Sequence, residues 1–399
     1  MGCRYRHPIT TRICAMGVCL LPVSGCALDL RYLLPQIGGQ LDIVANAIPI
    51  EEALQNGALT EEQVARMELL IEARDFAEDT LALNVENAYK LYFDTGDGPV
   101  AYNVSACVKH AFVPKTWEFP IVGTVPYLGY FTWKHAARKV NELTAQGYDV
   151  LHYKVDAYST LSFLPDPVFS GMLSRNPLSI VETICHELLH RTVWHPSNTT
   201  FNESLATWVG QTGAVQFFRD RYPEEPEAAQ TAVEWYDDLA RYNTFIFSLY
   251  DGLREFYAQD MPWKDKVDGR EAVYQAGRDR FVNEVLPLMN RPDSFAGVAD
   301  LPTNNAWILA NVRYNQDLDL FEDVHAATGR SWPDSIRVFR AAANTADPFG
   351  YLHAWLERQP AGTTELAEDS SGPEGLDESA EAADADAAPI HDCGPGPQP

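Results

Sequence analysis

Basic residues are scarce in this 399-residue chain: 30 Lys and Arg stand against 56 Asp and Glu, a formal charge of −26 at pH 7. Ten of the acidic residues, and no Lys or Arg, fall between Ala361 and Pro399, so the rest of the chain still carries 46 acidic against 30 basic residues. An acidic body repels phosphate backbones, which argues against a nucleic-acid partner. Usable cysteine is also scarce. Of seven Cys, Cys3, Cys14 and Cys19 fall in an N-terminal leader and Cys26 at its end. The three that remain, Cys107, Cys185 and Cys393, are too widely spaced for a disulfide framework. A Cys107–Cys185 bridge is conceivable, but Cys185 is expected to pack as a small apolar residue on its helix. The apolar run "ICAMGVCLLPV" (13–23) is too short to span a bilayer comfortably, and no internal repeat is visible.

What is present begins with a targeting segment. Arg4, Arg6 and Arg12 precede the apolar run, the order of a secretory signal. The run leads into "VSGC" (23–26), which resembles the lipobox of bacterial lipoproteins. The resemblance implies removal of residues 1–25 and a lipid on the Cys26 thiol, which would tether the protein to a membrane on the extracytoplasmic, periplasmic side. Ala27 favours the outer membrane. The tail from 361 to 399 has almost no large apolar residue and is expected to be disordered. Between them, residues 26–360 read as one catalytic unit, with 46% hydrophobic residues and nine Trp in the whole chain to supply a core.

The apolar pattern gives an α+β class: a small β-sheet packed against a mainly helical body. "LRYLLPQIGGQLDIVANAIPIEEAL" (30–54) is apolar at helical spacing but interrupted by Pro35 and Gly38-Gly39. Residues 60–83 predict an amphipathic helix opened by Thr60. Between about 98 and 132, "PVAYNVSACV", "EFPIVGTV" and "YLGYFTW" predict strands. A helix stopped by Gly147 follows, then the strand "YDVLHYKV". Beyond that, helices are predicted over 178–194, 203–221, 225–258, 266–289, 303–316 and 331–357.

The stretch "ETICHELLHRTVWHPSNTTFNES" (182–204) carries the chemistry. Residues i and i+4 share a helix face, so His186 and His190 can both turn an imidazole to one metal. Glu187 lies about 100° further round, placed to act as general base on a zinc-bound water without being a ligand. Glu203 follows on a second helix after the turn "HPSN", and two antiparallel helices can bring it beside the histidines. Two His plus Glu, with a fourth position for water, is a catalytic zinc set. The alternative is a buried helix whose histidines are satisfied by hydrogen bonds; two histidines and a glutamate facing one way without that compensation would be costly to bury. Arg191 is out of character, a charge where such helices usually carry none.

"HELLH" with "FNESLAT" resembles the Glu-type zinc metallopeptidases. More closely, the chain resembles a family of bacterial lipoproteins described as putative aminopeptidases. "YLLPQIGGQLDIVANAIPIEEAL" (32–54), "EARDFAEDTLAL" (72–83), "PKTWEFPIVGTVPYLGYF" (114–131), "YDVLHYKVDAYSTLSFLPDPVFSGML" (148–173) and "LPTNNAWILANVRYN" (301–315) carry that likeness in order. It implies zinc held by His186, His190 and Glu203, and peptide substrates. Two departures stand out. Glu118 and Thr124 occupy places where many members have cysteines, so a bridge there is absent. Gly210 replaces a usual acidic residue on the Glu203 helix.

Tyr158, between the last strand and the zinc helix, is the expected donor to a developing oxyanion, with packing in a turn as the equal alternative. "GYF" (129–131) is a candidate edge strand for an extended peptide. Asn304 and Asn305 read as helix caps, and Asn305 also as a substrate contact. His195 reads as loop scaffolding. An aminopeptidase needs an acidic group for the substrate ammonium, and no residue suggests itself, so endopeptidase or dipeptidase action stays open. A different class, an envelope lipoprotein that keeps the metal fold as a binding or assembly module, is disfavoured by the intact Glu187.

Overall fold

The computed structural model describes residues 30–359 except positions 97, 120–122 and 162. The leader (1–25), Cys26 and the tail (361–399) lie outside the described residues. The first element is α1 (Leu30–Asn46), which runs unbroken through Pro35 and Gly38-Gly39. The expected interruption does not occur. Pro35 removes one helical hydrogen bond, while Ile43 and the Tyr158 hydroxyl bonded to Gln40 fix the helix to the body.

Next come β1 (Ile48–Pro49), α2 (Ile50–Gln55) and α3 (Glu61–Asp79). As its sequence predicted, α3 starts after Thr60, whose hydroxyl and amide exchange hydrogen bonds with Gln63 in a capping box. Then follow β2 (Leu91–Phe93), β3 (Ala101–Cys107), β4 (Trp117–Phe119), β5 (Gly123–Val125), β6 (Tyr127–Tyr130), α4 (Trp133–Ala145), β7 (Asp149–Val155) and β8 (Val168–Phe169). These strands form three small sheets: β1-β2-β8, the antiparallel β6-β3-β7, and the hairpin β4-β5. In the middle sheet, Val104, Ala106 and Leu128 pack with Ala136 and Leu143 of α4. The alternate positions Ala101, Asn103, Tyr127, Gly129, Tyr153 and Val155 line a cleft instead, as the period-two geometry of strands requires.

The remaining chain is helical: α5 (Pro177–Thr192), α6 (Thr199–Arg221), α7 (Pro226–Ala258), α8 (Trp263–Arg280), α9 (Asn305–Asn315), α10 (Leu318–Ala327), α11 (Trp332–Ala343) and α12 (Pro348–Glu357). The class is therefore α+β, as expected. Four expected helices have different limits. The one predicted over 60–83 ends at Asp79. The one predicted over 203–221 starts earlier, because Asn198 caps it by accepting from the Phe201 amide. The one predicted over 266–289 loses α geometry at Phe281–Val285, a π-helical turn, and continues as a 3₁₀ turn containing Pro287. The one predicted over 331–357 is two helices, since Asp347 caps a fresh start with Pro348 in its first turn. Helix α10 was not anticipated. Cys107 and Cys185 are both buried and free, so no bridge joins them.

Candidate metal centre and cleft

Helix α5 is capped by Asn176, which accepts from the Ser179 amide, and Pro177 opens its first turn. Nearly every later side chain of α5 is buried, His186, Glu187 and His190 included. Helix α6 packs along it and supplies buried Glu203. Gly210 allows that approach: a Cβ there would meet the Glu182 carbonyl oxygen at 3.0 Å and the His186 Cβ at 3.4 Å. The turn between the helices is clamped by Asn202, whose amide accepts from the His195 N–H (2.8 Å) and donates to the His195 carbonyl (2.9 Å). The His195 ring lies 2.9 Å from the Thr345 carbonyl. That is the scaffolding role expected of it.

These supports bring three potential ligand atoms together. The His186 and His190 Nε2 atoms are 3.2 Å apart, and Glu203 Oε2 lies 3.4 and 3.5 Å from them. Ligands about 2.0–2.1 Å from a tetrahedral ion are separated by about 3.3–3.4 Å, so this triangle has the right size to hold a metal ion. Burial works against charge on Glu203, but His190 and His186 outweigh it and hold the carboxyl well below its usual range. Burial likewise opposes charge on His190, yet Glu203 and Glu187 raise its pKa. Glu187 behaves oppositely from Glu203: burial lifts its carboxyl above the usual value, against the lowering effect of both histidines.

The group lines a cleft of about 390 Å³. Tyr127, Tyr153, Tyr314 and Trp194 surround it. The Tyr127 hydroxyl donates to Glu203 Oε1 at 3.4 Å. The Tyr314 ring lies over His186 with centroids 6.2 Å apart and planes 21° from parallel, and the Trp194 ring meets His190 edge-on. Behind them Arg313 is buried with its guanidinium 5.7 Å from the Tyr127 ring centre. These aromatic residues and Arg313 had no distinguishing spacing in the sequence. Their only signal was that they fall inside the segments carrying the family resemblance.

Arg191 also has an account. Its side chain is fully buried and donates to Asp166 at 2.7 Å and Asn87 at 3.2 Å. Asp166 in turn accepts from the Thr160 amide, so the charge on α5 secures the loop that carries Tyr158. Tyr158 does line the cleft, but its hydroxyl donates to Gln40 at 2.8 Å and its ring stacks on Phe169. Asn305 is not brought to the cleft. It is fully buried, its carbonyl accepting from Tyr257 and Tyr274 and its amide donating to the Val108 carbonyl. Substrate contact gives way there to a structural role, while Asn304 caps α9 as expected. Glu118 stands directly opposite Thr124 in the β4-β5 hairpin, so the two positions expected to hold cysteines in relatives are cross-strand neighbours.

The fold and site together define an α+β protein with a buried His-His-Glu group, suited to a metal ion, in the wall of a cleft lined by aromatic residues. The family described as "Putative aminopeptidase" matches residues 31–347, and the chain belongs to it. No curated protein and no solved structure matches the chain.

Proposed function

We propose that the protein is a zinc-dependent peptidase, an aminopeptidase by its family, held at a membrane by a lipid on Cys26 and facing the periplasm. The observation that carries the catalytic part is the triangle of His186, His190 and Glu203 atoms at 3.2–3.5 Å, with buried Glu187 on the same helix. Its size, and a donor set of two imidazoles and one carboxylate, fit zinc. Zinc held there would supply Lewis-acid polarisation of a peptide carbonyl and lower the pKa of water.

The chain's own residues do the rest. The extended substrate lies along the cleft beside β6, which among the described residues stands at the edge of its sheet. Glu187 accepts a proton from water as the water oxygen bonds to the carbonyl carbon. It then gives that proton to the departing nitrogen as the C–N bond breaks. We assign the second donor to the carbonyl oxygen to Tyr127 rather than Tyr158, because the Tyr158 hydroxyl is held by Gln40 at 2.8 Å, whereas Tyr127 makes a longer contact, 3.4 Å, to Glu203 of the His-His-Glu group itself.

Glu187→Gln keeps the side chain's shape but cannot accept a proton. It should retain metal and lose peptidase turnover by roughly 100- to 10,000-fold. His186→Ala and His190→Ala should lose metal as well. Turnover of free-amine and N-blocked peptides, run beside metal analysis, tests the reading. A Glu187→Gln protein as active as wild type ends the mechanism, and activity confined to blocked peptides replaces aminopeptidase with endopeptidase.

A further inference from the structure

Helix α1 has two apolar faces, and only one is covered. On the covered side, the Tyr32 hydroxyl donates to the Gly129 carbonyl at 3.2 Å, its ring packs on Tyr130, Gln40 accepts from Tyr158, and Ile43 is buried. Gly39 leaves room for the Phe131 ring. On the other side Leu34 is 64% exposed, Ile37 53%, Leu41 62% and Val44 49%. At 100° per residue these four fall within about 80° of arc, in a row about 15 Å long. Arg31 and Asp42 are the only charged residues of the helix, and neither belongs to the row. An uninterrupted exposed apolar row of this kind marks an interaction surface.

Three facts select its occupant. Cys26 precedes Leu30 by four residues, so a lipid on that thiol would keep the start of α1 within about 14 Å of the bilayer surface. The row covers three turns, too short to span a bilayer, and no helix among the described residues is long and apolar enough to do so. A second copy is a poor partner, because two chains of charge −26 repel one another as they approach.

We infer that α1 lies in the plane of the membrane surface, with Leu34, Ile37, Leu41 and Val44 inserted at the headgroup–acyl boundary. This rests on the proposed anchor at Cys26. Tyr32 and Gln36, on the inner side of the same helix, line the cleft. The cleft is thereby held about one helix diameter, about 10 Å, from the lipid. The substrates it meets are peptide segments presented at that surface.

Photo-crosslinking of the full-length protein in phosphatidylethanolamine vesicles tests this. Leu41→p-benzoylphenylalanine should give a peptide carrying a phospholipid adduct. Trp263→p-benzoylphenylalanine, at an exposed apolar residue on α8, should not. Adducts only to a second copy, or equal lipid adducts at both positions, overturn the inference. The mass of the Cys26 peptide from the same sample keeps the two readings apart. Acylated Cys26 without a lipid adduct at position 41 removes the inference and leaves the anchor. A lipid adduct at 41 with bare Cys26 does the reverse, and peptide turnover is independent of both.

Discussion

Tyr127 and Tyr158 are both partly buried phenols on the cleft wall, and desolvation raises the pKa of each above its usual value, so both remain protonated donors. Their partners separate them. Tyr127 faces a carboxylate of the ligand group, whereas Tyr158 spends its proton on Gln40 of α1. Tyr127→Phe should therefore lower turnover by roughly 10- to 1000-fold, the scale of losing one oxyanion donor, with the metal retained. Tyr158→Phe should change turnover much less. Side-by-side kinetics on metal-loaded protein decide between them, and a larger loss from Tyr158→Phe would return the donor role to the residue that the sequence suggested. The comparison also shows why sequence could nominate a tyrosine yet not choose it. The choice depends on which hydroxyl is held more closely by its partner and where that partner sits, and Gln40 is 118 positions away from Tyr158.

At the scale of elements, the junction of α5 and α6 carries the site, and Gly210 sets its spacing. Alanine there would gain up to about 1 kcal/mol of helix propensity. Against that, its Cβ would sit 3.0 Å from the Glu182 carbonyl, which is α5 backbone and cannot rotate away. Overpacking of this kind costs about 1–3 kcal/mol. Gly210→Ala should thus destabilise by on the order of 1 kcal/mol and weaken metal binding by shifting His186. Urea unfolding and metal titration would show it, and a variant more stable than wild type would mean that α6 can slide without cost. Local signals marked many element limits correctly: Thr60 with Gln63 opens α3, and Gly147, at φ +87°, follows the end of α4. They failed where tertiary packing overruled them, as in the uninterrupted α1. They also failed where the local signal is weak, as at Asp347-Pro348, which opens α12.

Across the whole molecule, Glu182 joins three helices: it stands on α5, touches the α6 backbone gap at Gly210, and accepts from Tyr236 of α7 at 3.2 Å. Burial lifts its carboxyl from the usual 4.5 to about 7, although Tyr236 and Arg175 pull it down. The folded chain therefore holds a proton there that the unfolded chain has released. Stability from this group is fully present below 4.5 and is lost as pH rises through about 7. Glu182→Gln should remove that part of the slope and stabilise the protein above its upper end. Urea midpoints across pH for both proteins measure it, and parallel curves would refute the assignment.

The sequence by itself determined the candidate His-His-Glu ligand group and the mixed class. Two histidines four apart and a glutamate on the next helix need only helical periodicity and one turn to converge, and strand and helix patterns depend on near neighbours. Tertiary structure decided what surrounds that group. Tyr127, Tyr153 and Tyr314 reach it from β6, β7 and α9, Arg191 finds Asp166, and Asn305 is drawn away from the cleft by Tyr257 and Tyr274. Each of those outcomes depends on which distant side chain satisfies a buried polar group, and the cost of leaving one unsatisfied fixes the answer only once the chain is packed.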